Sequence, residues 1–238
     1  LKIVNLGATA IGTTVTAAPG YPELAVKNLA ELTGIDFKNS EDLIAATSDC
    51  GAYMTLSSAI KGLAVKMTKV CNDIRLLASG PRCGLKEINL PQLQPGSSIM
   101  PGKVNPVAAE VANQASFLAI GLDTTVMLAA SAGQLELNVM EPVITFALYT
   151  QMKVMTNACD TLRTKLVEGV TANTERCKDY VMNSIGIVTL LKPHFGYQKC
   201  AAIAKEGYTT GKSLHQIVVD EQHLMTQAEW DATFNTQN

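Results

Sequence analysis

The sequence predicts an all-α fold, a bundle of long helices followed by a small helical C-terminal domain, and three observations carry that expectation. A stripe of residues, Leu43, Ala46, Cys50, Tyr53, Ser57, Ile60, Ala64, Met67, Cys71, Ile74 and Ala78, recurs at alternating steps of three and four, which keeps them on one face of a helix. Two further stretches rich in Ala, Val and Leu, 106–131 and 135–168, have the length of long helices. Aromatic residues make up only 5% of the chain and β-branched runs are sparse, which leaves little material for a sheet.

Residues 5–20, NLGATAIGTTVTAAPG, read as loop with no start signal for any element, and the absence of an initial methionine leads us to expect a missing N-terminal portion. The stripe predicts one helix over 43–78, roughly 60 Å long at 1.5 Å per residue. Ser40 supplies the N-cap with Glu41 and Asp42 in the first turn, and Ser79-Gly80-Pro81 is the stop. The stretch 80–106 is dense in Gly, Pro and Ser and must be a loop, and a loop of that length inside a helical domain is usually functional. The helix over 106–131 follows, then Gly133, then the helix over 135–168, which Pro142 is expected to bend near its start. After Gly169 the pattern shortens to helical stretches near 173–191, 198–206, 213–220 and 226–234, divided by Pro193, Gly196, Gly207 and Gly211. The expected domains are therefore 1–169 and 170–238.

Composition excludes several function classes. At 47% hydrophobic and a net charge of −2 the chain is a globular protein and not an extended disordered one. The balance of 19 Lys+Arg against 21 Asp+Glu, without a block of like charge, offers no footprint for nucleic acid or an anionic membrane surface. No run of eighteen apolar residues predicts a membrane span, and the first twenty residues lack a secretory pattern. Cys50, Cys71, Cys83, Cys159, Cys177 and Cys200 are scattered and form no C-x-x-C pair, while His194, His215 and His223 all lie near the C-terminus. Neither a disulfide framework nor a zinc site is expected, and reduced thiols point to the cytoplasm.

The segment 96–106, GSSIMPGKVNP, carries the chemistry. It is not a phosphate loop: five residues separate Gly96 from Gly102-Lys103 and Val104 follows the lysine, while only three separate Gly207 from Gly211-Lys212-Ser213. It does put two hydroxyls, a cation and an amide within ten residues, on glycines that let backbone N–H groups turn inward, which makes an anion site with a potential base. A serine removes a carbon-bound proton only if its alkoxide is stabilised, so oriented N–H groups and a nearby cation are required. Lys103 can meet a carboxylate, and Asn105 can donate to it. Composition alone favours a mobile connector over a catalytic loop, and reads Glu110 as a first-turn helix carboxylate.

GSSIMPGKVNP resembles the signature loop of the aspartase/fumarase superfamily, and the resemblance extends to NLGATAIGT at 5–13, NDIRLLASGPRCGLKEINLP at 72–91 and NSIGIVTLLKP at 183–193. Ala8, the run Ser48-Asp49-Cys50-Gly51-Ala52 and QLELNVMEPVI at 134–144 incline it toward the branch that eliminates ammonia from L-aspartate. The resemblance implies Ser97 as catalytic base, Glu110 as the acid that orients a histidine, and Ser98, Lys103 and Asn105 as substrate contacts. It further implies a small dicarboxylate substrate, no cofactor, no metal, and a homotetramer with active sites shared between subunits. Members of the family are nearly twice this length, so the sequence reads as a C-terminal part lacking the histidine-bearing segment; none of the three histidines here matches it, and they are expected to pack or face solvent. The rival readings are malate/fumarate hydration by the same loop and a non-catalytic helical scaffold. The loop's two prolines, Pro95 and Pro101, exclude helix and ladder, so its order is expected to come from ligand contacts.

Overall fold

The computed structural model describes residues 1–234; positions 235–238, the end of the expected second domain, lie outside the described residues. The chain forms two compact units, one from Leu1–Ser79 with Leu90–Val170, the other from Gly80–Asn89 with the chain from Thr171 onward.

In the first unit a two-residue parallel pair, β1 (Ile3–Val4) and β2 (Lys38–Asn39), flanks α1 (Tyr21–Thr33). Sequence analysis did not anticipate α1, although its ends are marked: Pro22 sits in the first turn and Gly34, at φ 69°, terminates it. The single helix expected over 43–78 is two, α2 (Leu43–Ser48) and α3 (Gly51–Leu77). The cap of α2 is Asp42 and not Ser40; its carboxylate accepts from the N–H groups of Ile44 and Ala45 at 3.0 and 2.9 Å. The break comes at Asp49, which is extended at φ −77°, ψ 120° and turns its own carboxylate to the Gly51 N–H at 3.0 Å. An aspartate that satisfies the next helix's free donors competes with continuing the previous helix, and here the cap prevails.

α4 (Val107–Ser131) runs as expected. The helix expected from 135 begins later, as α5 (Glu141–Lys165), so Pro142 lies in its first turn and bends nothing. Residues 134–140 stay non-helical because Asn138 is buried and ties them down, its Nδ2 donating to the Ala129 and Ala130 carbonyls and its Oδ1 accepting from the Met140 N–H. Among the described residues α4 alone has the length and mean hydropathy, 1.2, that could suit a bilayer. It is instead the central helix of this unit, packed against both α3 and α5.

Small residues make that packing close. Ala64, Met67 and Cys71 of α3 meet Ala108, Ala109, Ala112 and Ala119 of α4 and Met155, Ala158 and Leu162 of α5 in one cluster. Cys50, Val126, Ala129, Ile144, Ala147 and Leu148 form another. At heights between these two clusters on their helices, Ser57, Asp123 and Gln151 are buried together. Burial pushes the Cys50 thiol up, with Glu141 and Asp49 adding to it, and burial does the same to Cys71; each packs in one of the two clusters.

The second unit pairs β3 (Ile88–Asn89) antiparallel with β4 (Thr171–Ala172). Side chains of Asn173, Arg176 and Tyr180 donate to the carbonyls of Lys86, Leu85 and Gly84, which draws residues 80–89 into this unit. α6 (Thr174–Met182) leads to a 3-10 segment, Ile185–Leu191, then to α7 (Lys192–Thr210), interrupted at Gly196, a π turn over Gln216–Glu221, and α8 (Gln227–Phe234). Ile187, Leu191, Cys200, Ile203, Leu214, Ile217, Val218, Met225 and Trp230 are its core. The three histidines serve this unit: the His215 ring stands edge-on to Trp230 at 5.1 Å, His223 Nδ1 donates to the Val219 carbonyl, and His194 lies 3.3 Å from the Thr233 hydroxyl.

Candidate active site

The signature loop, 94–106, lies wholly in the first unit and feeds directly into α4. Ser97 Oγ accepts from the backbone N–H groups of Ile99 and Met100 at 3.1 and 3.3 Å. The Met100 carbonyl accepts from the Lys103 N–H at 3.3 Å, and Gly102 makes the turn at φ 80°. Asn105 Nδ2 donates to the Gly96 carbonyl at 2.6 Å, joining the two ends of the segment. The loop thus carries hydrogen bonds of its own.

This arrangement suits a serine base. A hydroxyl oxygen that already faces two N–H donors gains more from them as an alkoxide than as an alcohol, which lowers the cost of deprotonation. Ser98 and Lys103 are exposed on the same loop, and the Lys103 ammonium makes no hydrogen bond or ion pair among the described residues. Asn105 is half-buried, with one amide hydrogen engaged at Gly96 and the other available. Glu110 is half-buried in the first turn of α4, and its carboxylate forms no hydrogen bond to the loop residues. The structure therefore gathers Ser97, Ser98, Lys103 and Asn105 on one closed segment and stands Glu110 beyond its end. Sequence reasoning missed Gly96, whose carbonyl the asparagine holds; its signal was only that a glycine precedes the two serines. Among the described residues no cluster of His, Cys, Asp and Glu side chains could hold a metal ion.

Residues 1–121 match the lyase family, and residues 187–238 match the fumarase C C-terminus family. The chain belongs to the lyase family. This lyase chain is 57% identical over 99% of its length to the aspartate ammonia-lyase of Escherichia coli K12, covering 49% of that protein. It is 53% identical over its whole length to the aspartate ammonia-lyase of Helicobacter pylori 26695, covering 51%. It thus spans about half the length of the curated relatives it matches. Among solved structures, the fumarate lyase:delta crystallin of Brucella melitensis bound to cobalt superposes with TM-score 0.92 at 41% identity, over 98% of the lyase chain and 50% of that chain. The recombinant class II fumarase of Schistosoma mansoni superposes with TM-score 0.86 at 32% identity, over 98% and 51% respectively. Both likenesses agree with a helical-bundle fold.

Proposed function

We propose that the protein is an aspartate ammonia-lyase, converting L-aspartate to fumarate and ammonia, with Ser97 as the base. The observation that carries this reading is the pair of N–H groups aimed at Ser97 Oγ in a chain 57% identical to an aspartate ammonia-lyase. The Ser97 alkoxide takes a proton from Cβ of aspartate, and the electron pair of that C–H bond passes into the adjacent carboxylate as an aci-carboxylate. The pair then returns to form the carbon–carbon double bond as the Cα–N bond breaks and ammonia leaves. Removing so weakly acidic a proton requires the dianion to meet donors already in place. Ser98, Lys103 and the second amide hydrogen of Asn105 supply them. Glu110 would orient a histidine supplied by another part of the protein.

Homotetramerisation with shared active sites and a cytoplasmic location belong to the same reading. Large apolar side chains exposed on all three bundle helices support the first, among them Leu63 and Val70, Phe117 and Leu128, and Phe146 and Tyr149. Six free cysteines support the second. Hydration of fumarate to malate is the alternative favoured by the match at 187–238. Assaying L-aspartate and L-malate separates the two, and a complete polypeptide that consumes only malate would overturn the ammonia-lyase reading. Ser97→Ala in that polypeptide should lower kcat by at least ~10²-fold while leaving assembly intact. Near-normal turnover by the folded variant would remove Ser97 as the base.

A further inference from the structure

We propose that Gly96 is a positioning residue for this elimination, closing the neck of the signature loop so that Ser97 Oγ stays against its two N–H donors. The inference rests on the ammonia-lyase reading for its kinetic consequences and on the loop geometry alone for the neck itself.

Two constraints meet at Gly96. The backbone of Lys103 lies so close that a Cβ on Gly96 would come 1.7 Å from the Lys103 carbonyl oxygen and 2.5 Å from its carbonyl carbon. The Gly96 carbonyl, in turn, accepts the Asn105 amide at 2.6 Å. One end of the loop is thereby held to the other by a close backbone approach and a hydrogen bond within one residue. The next residue is Ser97. Because the intervening peptide is planar and stiff, a displacement of Gly96 is passed to Ser97 with little loss. Ser97 Oγ receives its donors at 3.1 and 3.3 Å, so a shift of about 1 Å is enough to break them, and misplacement on that scale costs about 10²-fold in rate.

Gly102, in the same loop, is the control. It sits at φ 80°, which strains any other residue, yet a Cβ there meets nothing within 4 Å. Alanine at Gly102 strains one dihedral in open space, whereas alanine at Gly96 must part the neck.

The test compares Gly96→Ala and Gly102→Ala in the complete polypeptide by steady-state deamination across pH, thermal melting, and hydrogen exchange at the Ile99 and Met100 amides. Gly96→Ala should lower kcat about 10²-fold with a far smaller change in KM. It should move the ascending limb of kcat/KM to higher pH, because losing N–H donors disfavours the alkoxide. Exchange at Ile99 and Met100 should accelerate while the melting temperature holds. Gly102→Ala, whose added Cβ meets open space, should disturb Ile99 and Met100 exchange and the pH limb less than Gly96→Ala does. Asn105→Asp, which replaces the donor with a carboxylate facing the same carbonyl, should also speed exchange at those two amides. Unchanged protection of Ile99 and Met100 in Gly96→Ala, an unshifted pH limb, or equal impairment by Gly102→Ala would overturn the proposal. If the unsubstituted polypeptide does not deaminate aspartate, the functional reading fails, and exchange still decides whether Gly96 closes the neck.

Discussion

Lys103 stands exposed on the loop with its ammonium unengaged among the described residues, and the proposed function gives it the substrate carboxylate as partner. A carboxylate bound in the ground state becomes more negative as the aci-carboxylate forms, so the same contact is worth more in the transition state. Lys103→Ala should therefore raise KM for aspartate and lower kcat together, checked by steady-state kinetics; an unchanged profile would remove Lys103 from the site. Ser97, Ser98, Lys103 and Asn105 were singled out by the resemblance of their segment to a signature loop, because composition alone favoured a connector. The neck was not, since the contact of Gly96 with the Lys103 backbone depends on the path of the chain between them. The loop's internal hydrogen bonds were partly legible. A serine whose hydroxyl accepts from the N–H groups two and three residues on makes a local turn of its own, and the prolines on either side drew attention from it.

Among the elements, α3, α4 and α5 are keyed by a polar layer between two apolar clusters. Asp123 accepts from Ser57 at 2.7 Å and from Lys61 Nζ at 2.5 Å, and Gln151 Nε2 donates to Ser57 at 3.1 Å and to the Ala119 carbonyl at 2.9 Å. Burial pushes the Asp123 carboxyl up, but hydrogen bonds from Lys61 and Ser57, the Lys61 charge and a weaker bond from Ser58 outweigh it and hold the group below its ordinary value. A carboxyl that titrates lower when folded stabilises the fold fully above the unfolded carboxyl range, and that contribution drains away as pH falls through the folded value. Asp123→Asn should destabilise the bundle by about 1–2 kcal/mol at neutral pH, discounted because Lys61 is partly solvated. Denaturant unfolding should show the gap between the two proteins narrowing in acid; a constant gap would show that charge at Asp123 contributes nothing. The stripe on α3 was legible because Ser57 falls in step with its apolar neighbours. Asp123 was not singled out, since a lone acid in an apolar helix shows its partners only once three helices are aligned. The break at Asp49 was missed for a related reason: the apolar spacing continues unchanged across it, and only the aspartate's capping geometry records the interruption. Further along, Thr226 and Glu229 cap α8 reciprocally, a pair three residues apart that sequence analysis passed over.

For the molecule as a whole, the decisive quantity is the apolar surface that the first unit leaves uncovered. α4 turns its alanines inward, and outward it presents Phe117 at 56% exposure and Leu128 at 59%. On α5 the same holds for Phe146 at 64% and Tyr149 at 68%, and on α3 for Leu63, Val65 and Val70. Helices of a lone three-helix unit would be polar on these faces, because apolar side chains left in water at about 25 cal/mol per Å² form a patch that soluble monomers rarely carry. Between α3 and α5 an open groove lined by Ile60, Leu63, Met152 and Met155 adds to the uncovered surface. Copies of the same helices or the rest of the polypeptide would cover it, and the homotetramer proposed above assigns these faces to copies of the bundle. On that proposal the complete polypeptide should sediment as a single species of four times its own mass at micromolar concentration. Replacing Phe117 and Leu128 together with charged residues should shift it toward smaller species, since burying an unpaired charge in each repeated interface is disfavoured at every copy. A well-folded monomer at that concentration, before any substitution, would overturn the tetramer and leave these faces to the rest of the polypeptide or to another partner.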